Sequence, residues 1–147
     1  MRVRQYVYFA LRSERVSAVQ IAREIGLEPD EVKVQGSRLP DVPIPRTHAW
    51  QVSCRDTTLF LHEQISRVLD RLEPYADRIG GLAARLDADG PDGPGITACL
   101  QIVREYTPAA AGEDPSEPNL LGWWLDRRAL AFLTRTGTVV DVDEYHF

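Results

Sequence analysis

Lysine is nearly absent from this chain. Of seventeen basic residues only Lys33 is a lysine, and the arginines are spread along the whole length. A grip on phosphate backbones needs clustered cations. With scattered arginines and a net charge of -5, nucleic acid is not the expected partner. Cysteine is almost as scarce, with Cys54 and Cys99 alone. There is no Cys-x-x-Cys and no His-x-x-x-His, so no spacing preorganises a zinc site. The two thiols read as small apolar residues in strands. No apolar run approaches the ~20 residues of a membrane span. No basic, apolar and small-residue start suggests a signal peptide. The expectation is a cytoplasmic protein with no membrane contact. A phosphate loop is also missing, because Gly90 to Gly95 is broken by prolines and Asp92 and no lysine follows.

What is present is an ordinary globular composition, 44% hydrophobic and 27% charged over 147 residues. One domain is expected. A chain of this length buries roughly 70% of its unfolded surface and needs no metal or disulfide to fold. No cofactor and no metal are expected.

The clearest local pattern is a unit that occurs twice, at 3–35 and 97–145. In the first, Tyr6 to Leu11 alternates as a strand with apolar residues on both faces, as in a central strand. Ser17 is placed to cap a helix, with Gln20 completing a capping box and Val16 and Ile21 spaced for a hydrophobic staple. Gly26 stops that helix in a left-handed conformation, and Pro29 blocks its continuation. In the second, Thr97 to Tyr106 reads as a strand. Asp126 caps a helix that ends at Gly137, and a last strand runs to Tyr145. Between the two units, Glu31 to Gln35 and His48 to Arg55 read as strands. A helix is expected from Asp56 or Thr57 to Leu72, with Leu61, Ile65, Val68, Leu69 and Leu72 on one face and Glu63 paired with Arg67. Ile79 to Asp87 reads as a strand weakened by two glycines. Asp89 to Gly95 reads as a turn and 107–119 as a mobile loop. The resulting fold class is α+β: a ferredoxin-like βαββαβ set followed by an additional βαβ, in an antiparallel or mixed sheet with helices packed on one face.

Taken together, Tyr6 to Leu11, Ile21 to Pro29, Gly36, Trp50 opening a strand, the helix Leu61 to Leu72 and the ending Leu130 to Tyr145 resemble DUF4279. This is a family of small bacterial domains of unknown function. The resemblance covers nearly the whole chain and implies a fold. It implies no catalytic residue, since the shared motifs are packing motifs. The long segment from Thr107 to Asn119 and the Trp123-Trp124 pair depart from the compact pattern.

Candidate chemistry is thin. Asp87, Asp89 and Asp92 suggest a calcium loop, but Pro91, Asp92 and Ala98 occupy positions that EF-hand geometry assigns otherwise; a turn is the simpler reading. His48, His62, Cys54 and Cys99 lack metal spacing. His48 and Cys54, six apart on one strand, would lie about 20 Å apart, too far for a nucleophile and its base. Asp141 and Asp143 share a strand face, as on a solvated edge. The loop from Gly36 to Trp50 is richer. Its prolines stiffen a segment carrying Arg38, Arg46, His48 and Trp50, and such a segment binds at low ordering cost. Against this, Trp50 could equally be a core residue. Trp123 and Trp124 are adjacent, so an extended segment points one of them outward, as at an interface.

The expected function is therefore a noncatalytic protein-binding or regulatory module, of immunity type as one version, acting on a protein partner or through self-association as a homodimer. The acidic chain would suit a basic partner. The alternative is a small enzyme or small-molecule binder with a polar pocket around Arg46, His48 and Trp50.

Overall fold

A computed structural model describes residues 1–89, 97–109, 111–112 and 120–147. All of the expected turn at Asp89 to Gly95 except Asp89, and most of the expected loop at 107–119, lie outside these residues, as does Asp92. The element order is β1 (Arg2–Ser13), α1 (Ala18–Ile25), β2 (Glu31–Lys33), β3 (His48–Cys54), α2 (Leu61–Leu72), a 3-10 turn (Glu73–Tyr75), α3 (Ala76–Ala88), β4 (Ala98–Thr107), α4 (Arg127–Thr136) and β5 (Val139–His146). The strands form one mixed sheet in the order β2-β3-β1-β4-β5. All pairings are antiparallel except β4 with β5.

Alternation along β1 decides the architecture. Val7, Phe9 and Leu11 point to one face, where Trp50 and Val52 of β3 and Leu100 and Ile102 of β4 join them. Ile21 and Ile25 of α1, Leu61, Ile65 and Leu69 of α2, Ile79 and Leu82 of α3 and Phe132 of α4 close the same core. Phe9 meets Trp50 and Phe132 edge-on, at 6.4 and 5.8 Å between ring centres. The opposite face receives no helix among the described residues.

The helix ends follow their sequence signals. Ser17 accepts from the Gln20 amide and Asp126 from the Ala129 amide, while Gly26 and Gly137 adopt left-handed caps. The two β-α-β segments close differently, however. β3 lies between β1 and β2, whereas β4 and β5 are direct neighbours.

Two expectations are corrected. Ile79 to Asp87 is not a strand but the body of α3. Ile79, Leu82, Ala83 and Leu86 recur at helical spacing and are all buried. With that segment helical the sheet has five strands, and β4 both follows α3 and opens the last unit. Helix α2 starts at Leu61 rather than near Asp56. The Asp56 carboxylate instead accepts from the Thr58 amide and hydroxyl and holds a turn. Arg67 accordingly pairs with Asp56 at 3.2 Å, and Glu63 accepts from the Phe60 amide at 2.8 Å.

The glycine pair in α3 explains why a helix tolerates it. A Cβ on Gly80 would stand 2.8 Å from the Arg135 carbonyl oxygen of α4, whereas one on Gly81 would meet nothing within 4 Å. Gly81→Ala should therefore raise stability by about 0.5–1 kcal/mol. Gly80→Ala should lower it by about 1–3 kcal/mol through the forced shift of α4. Urea denaturation of the two variants gives both signs; a gain in both would mean that α3 and α4 do not approach through Gly80.

Candidate functional site

The segment joining β2 to β3 cannot be buried by periodicity. Pro40, Pro43 and Pro45 fix φ and remove three amide donors, so it neither coils nor pairs along its length. Each proline follows an aliphatic residue that no regular element can turn inward. The base is tied instead. Gly36 donates to the Pro45 carbonyl at 3.0 Å and Ser37 to that of Val34 at 3.1 Å. The Gln35 amide donates to His48 Nδ1 at 3.1 Å. Between these ties, Asp41 takes a left-handed conformation at φ 61°, which a short polar side chain tolerates.

The result is a stiff protrusion with apolar side chains in solvent. Leu39 is 66% exposed, Val42 53% and Ile44 54%, and Val32 and Val34 continue the exposure down to β2. Arg38 and Arg46 are exposed and make no hydrogen bond or ion pair with a described residue. β2 is an end strand of the sheet, so its outer backbone edge is open to pairing. Asp30 anchors that edge: its carboxylate accepts from the Ser53 amide at 2.8 Å and from Arg71.

The sequence-derived candidates separate in space. Arg38 and Arg46 lie on the protrusion and His48 pins its base. Trp50 is fully buried under the sheet, its indole N–H donating to the Leu27 carbonyl at 3.1 Å. Trp50 therefore forms no pocket with Arg46 and His48. Trp123 packs against the core while Trp124 is 58% exposed. Trp124 stacks on His62 with ring centres 3.6 Å apart, and Phe60 stacks with the same histidine at 5.5 Å.

Two clefts meet at Arg128, and one of them borders this aromatic stack. One, of about 250 Å³, is lined by residues that include His62, Ser66, Trp124, Asp126 and Arg128. The other, of about 590 Å³, lies between Asp70, Glu73, Arg128 and Arg135. Arg128 dominates both. It pairs with Glu73 at 2.5 Å and Asp70 at 2.7 Å and donates to the Ser66 hydroxyl at 3.1 Å. Those contacts favour its protonated form and engage four of its five N–H donors, so Arg128 ties α2 to α4.

Catalytic groups do not converge elsewhere among the described residues. Cys54 and Cys99 are free thiols on opposite faces of the sheet. Burial pushes the Cys99 thiol up, away from the thiolate that reactivity requires. Asp141 and Asp143 share the helix-free face, as alternation requires, and Asp143 accepts from Gln101 Nε2 at 3.2 Å. No group of three His, Cys, Asp or Glu residues is arranged to hold a metal ion among the described residues. No described helix is long and apolar enough to cross a membrane.

Sequence reasoning singled out the arginines of the protrusion but missed Leu39, Val42 and Ile44. The signal was there: each precedes a proline or stands one residue from one, where no helix or strand period could bury it.

One comparison with known proteins is positive. The family described as Domain of unknown function (DUF4279) matches residues 3–147. No curated protein and no solved structure matches the chain.

Asp30 gives a test of how the edge is held. Burial opposes ionisation of its carboxyl, but the hydrogen bonds from Arg71 and Ser53 outweigh it and hold the pKa below its usual value. A lowered folded pKa stabilises above the unfolded value near 3.9 and fades as pH falls through the folded one. Asp30→Asn should cost about 1 kcal/mol or less at pH 7. The difference from the parent chain should shrink steadily below about pH 4. Denaturation midpoints across that range check it; a difference independent of pH would mean that the carboxylate charge contributes nothing.

Proposed function

The chain belongs to the DUF4279 family, a domain of unknown function matched over residues 3–147, and from that premise we propose a noncatalytic protein-binding module that works through the β2 edge and the β2–β3 protrusion. The observation that carries this reading is the exposure of Leu39, Val42 and Ile44 on a proline-stiffened segment flanked by Arg38 and Arg46, which make no ion pair with a described residue. Aliphatic groups held in water by a rigid backbone find their burial in a partner.

Charge decides the kind of partner. The whole chain is acidic, but at contact distance a partner meets the local balance, because salt screens beyond about 8–10 Å. From Gly36 to Thr47 that balance is Arg38 and Arg46 against Asp41. A partner segment that is apolar and acidic fits it. Magnitudes set the affinity class. Completing the burial of three half-exposed aliphatic side chains contributes roughly 3–5 kcal/mol. Association costs an estimated 4–15 kcal/mol. The protrusion alone is therefore too weak, and backbone pairing along the β2 edge has to add to it.

Two further readings attach to this one. The strand order β2-β3-β1-β4, antiparallel throughout, supports a ferredoxin-like sheet for the first four strands, with α4 and β5 added at its edge. Fold analogy of that kind carries no activity. A small-molecule pocket around Arg46, His48 and Trp50 has less support, since Trp50 is enclosed and His48 Nδ1 is occupied.

The experiment compares the parent chain with Leu39→Asp/Ile44→Asp as bait in extracts of the native cell. Both baits should have the same stability within about 0.5 kcal/mol, as expected for exposed positions. A partner retained by the parent and lost by the double variant is the expected result. Identical partners on both baits would remove the protrusion from the binding surface.

A further inference from the structure

The smaller of the two clefts at Arg128 shares no residue with the protrusion. Its volume is about 250 Å³, below the roughly 300–1,000 Å³ of sites for drug-sized ligands, so it suits a smaller molecule. Trp124 lines it with 58% of its surface in water. Stacking on His62 holds that indole in place, at 3.6 Å between ring centres. An aromatic ring held in this way offers an electron-rich face to a cation.

The polar groups of the lining leave an excess of acceptors. Arg128 spends four of its five N–H donors on Glu73, Asp70 and Ser66. Glu63 and Asp126 each use one carboxylate oxygen, on the Phe60 and Ala129 amides at 2.8 Å. The second oxygen of each meets no donor from a described residue, and neither acid forms an ion pair with one. His62 Nδ1 is the decisive atom. Among the described residues two buried side-chain polar atoms lack a hydrogen-bond partner, His62 Nδ1 and Gln64 Oε1. Of those two residues, only His62 lines the cleft. With no acceptor facing it, Nδ1 is the accepting nitrogen of a neutral ring. A buried acceptor without a donor is costly, so a ligand that brings an N–H group here relieves that cost.

Charge points the same way. Helix N-termini draw anions, but Glu63 in the first turn of α2 and Asp126 at the cap of α4 already supply that charge. Arg128 in turn is matched by Asp70 and Glu73. An anion would face four carboxylates against one guanidinium, and a cation the reverse.

We propose that this cleft binds the guanidinium group of a small molecule, stacked on Trp124, with Asp126, Glu63 and His62 Nδ1 accepting its N–H groups. A planar fork of donors serves several separate acceptors at once and lies flat on an indole, which a compact ammonium does not.

The test is a nitrogen-15 NMR titration of the full chain with methylguanidinium chloride, at ionic strength matched by sodium chloride. Parallel titrations use tetramethylammonium chloride and the peptide Gly-Arg-Gly. Methylguanidinium should give saturable shifts at the Trp124 indole N–H and at the backbone amides of Glu63 and Ala129, with a Kd on the order of 1 mM. Tetramethylammonium, a cation without donors, should bind at least about threefold more weakly. Asp126→Asn retains the helix cap, because asparagine caps as well, and should weaken methylguanidinium roughly two- to fivefold. His62→Phe retains a stacking ring without Nδ1 and should weaken it about two- to tenfold. Shifts that do not saturate, or that sodium chloride reproduces, overturn the site. Affinity unchanged in Asp126→Asn or in His62→Phe also overturns it. Tetramethylammonium binding as tight as methylguanidinium overturns the guanidinium assignment. Gly-Arg-Gly binding more than about tenfold tighter than methylguanidinium overturns the small-molecule source in favour of a protein arginine.

Discussion

The structure depends on the alternation of β1. This strand sits third in the order of five and pairs on both sides, so the direction of its side chains fixes both faces of the sheet. Val7, Phe9 and Leu11 commit one face to the helices. Tyr6, Tyr8, Ala10 and Arg12 commit the other to remaining free of them. A one-residue slip would exchange these sets and put Arg12 in the core, so the register is strongly specified. The helices are then stacked where the apolar residues are, and α3 and α4 approach closely only because Gly80 has no side chain.

A sheet covered on one face must satisfy three surfaces without a core: the other face and the two edges. The helix-free face does so with long polar side chains that hold one another, as Arg55 does with Glu31 and Tyr6, and Gln101 with Asp143. The β5 edge carries Asp141, Asp143 and Glu144, charges that discourage unintended pairing. The β2 edge is only three residues long and continues into the proline-rich protrusion. The proposed function rests on where this self-satisfaction stops. It stops at Leu39, Val42 and Ile44, which have no apolar shelter.

Most of the fold was legible because local signals and the core agreed. Ser17, Gly26, Asp126 and Gly137 mark helix ends by backbone chemistry that needs no tertiary context. Trp50, Val52 and the Leu61 to Leu72 stripe mark buried faces. Legibility failed where tertiary contact overrides a local cue. Gly80 and Gly81 lower helix propensity, yet the first is required by the approach of Arg135. Asp56 is an able helix cap by type, yet its carboxylate is committed to Thr58 and Arg67. The site was less legible than the fold. Arg38 and Arg46 could be found as charges on a stiff loop.

On the proposed function, a partner docks on the β2–β3 protrusion. The most direct measurement is photo-crosslinking in the native cell extract, with a photoreactive side chain at position 42 in one chain and at position 124 in another. Both positions are exposed, so neither substitution disturbs the core. A discrete crosslinked species is expected from position 42 and none from position 124. A discrete species from position 124 alone would contradict it and move the docking surface to the aromatic stack of Phe60, His62 and Trp124.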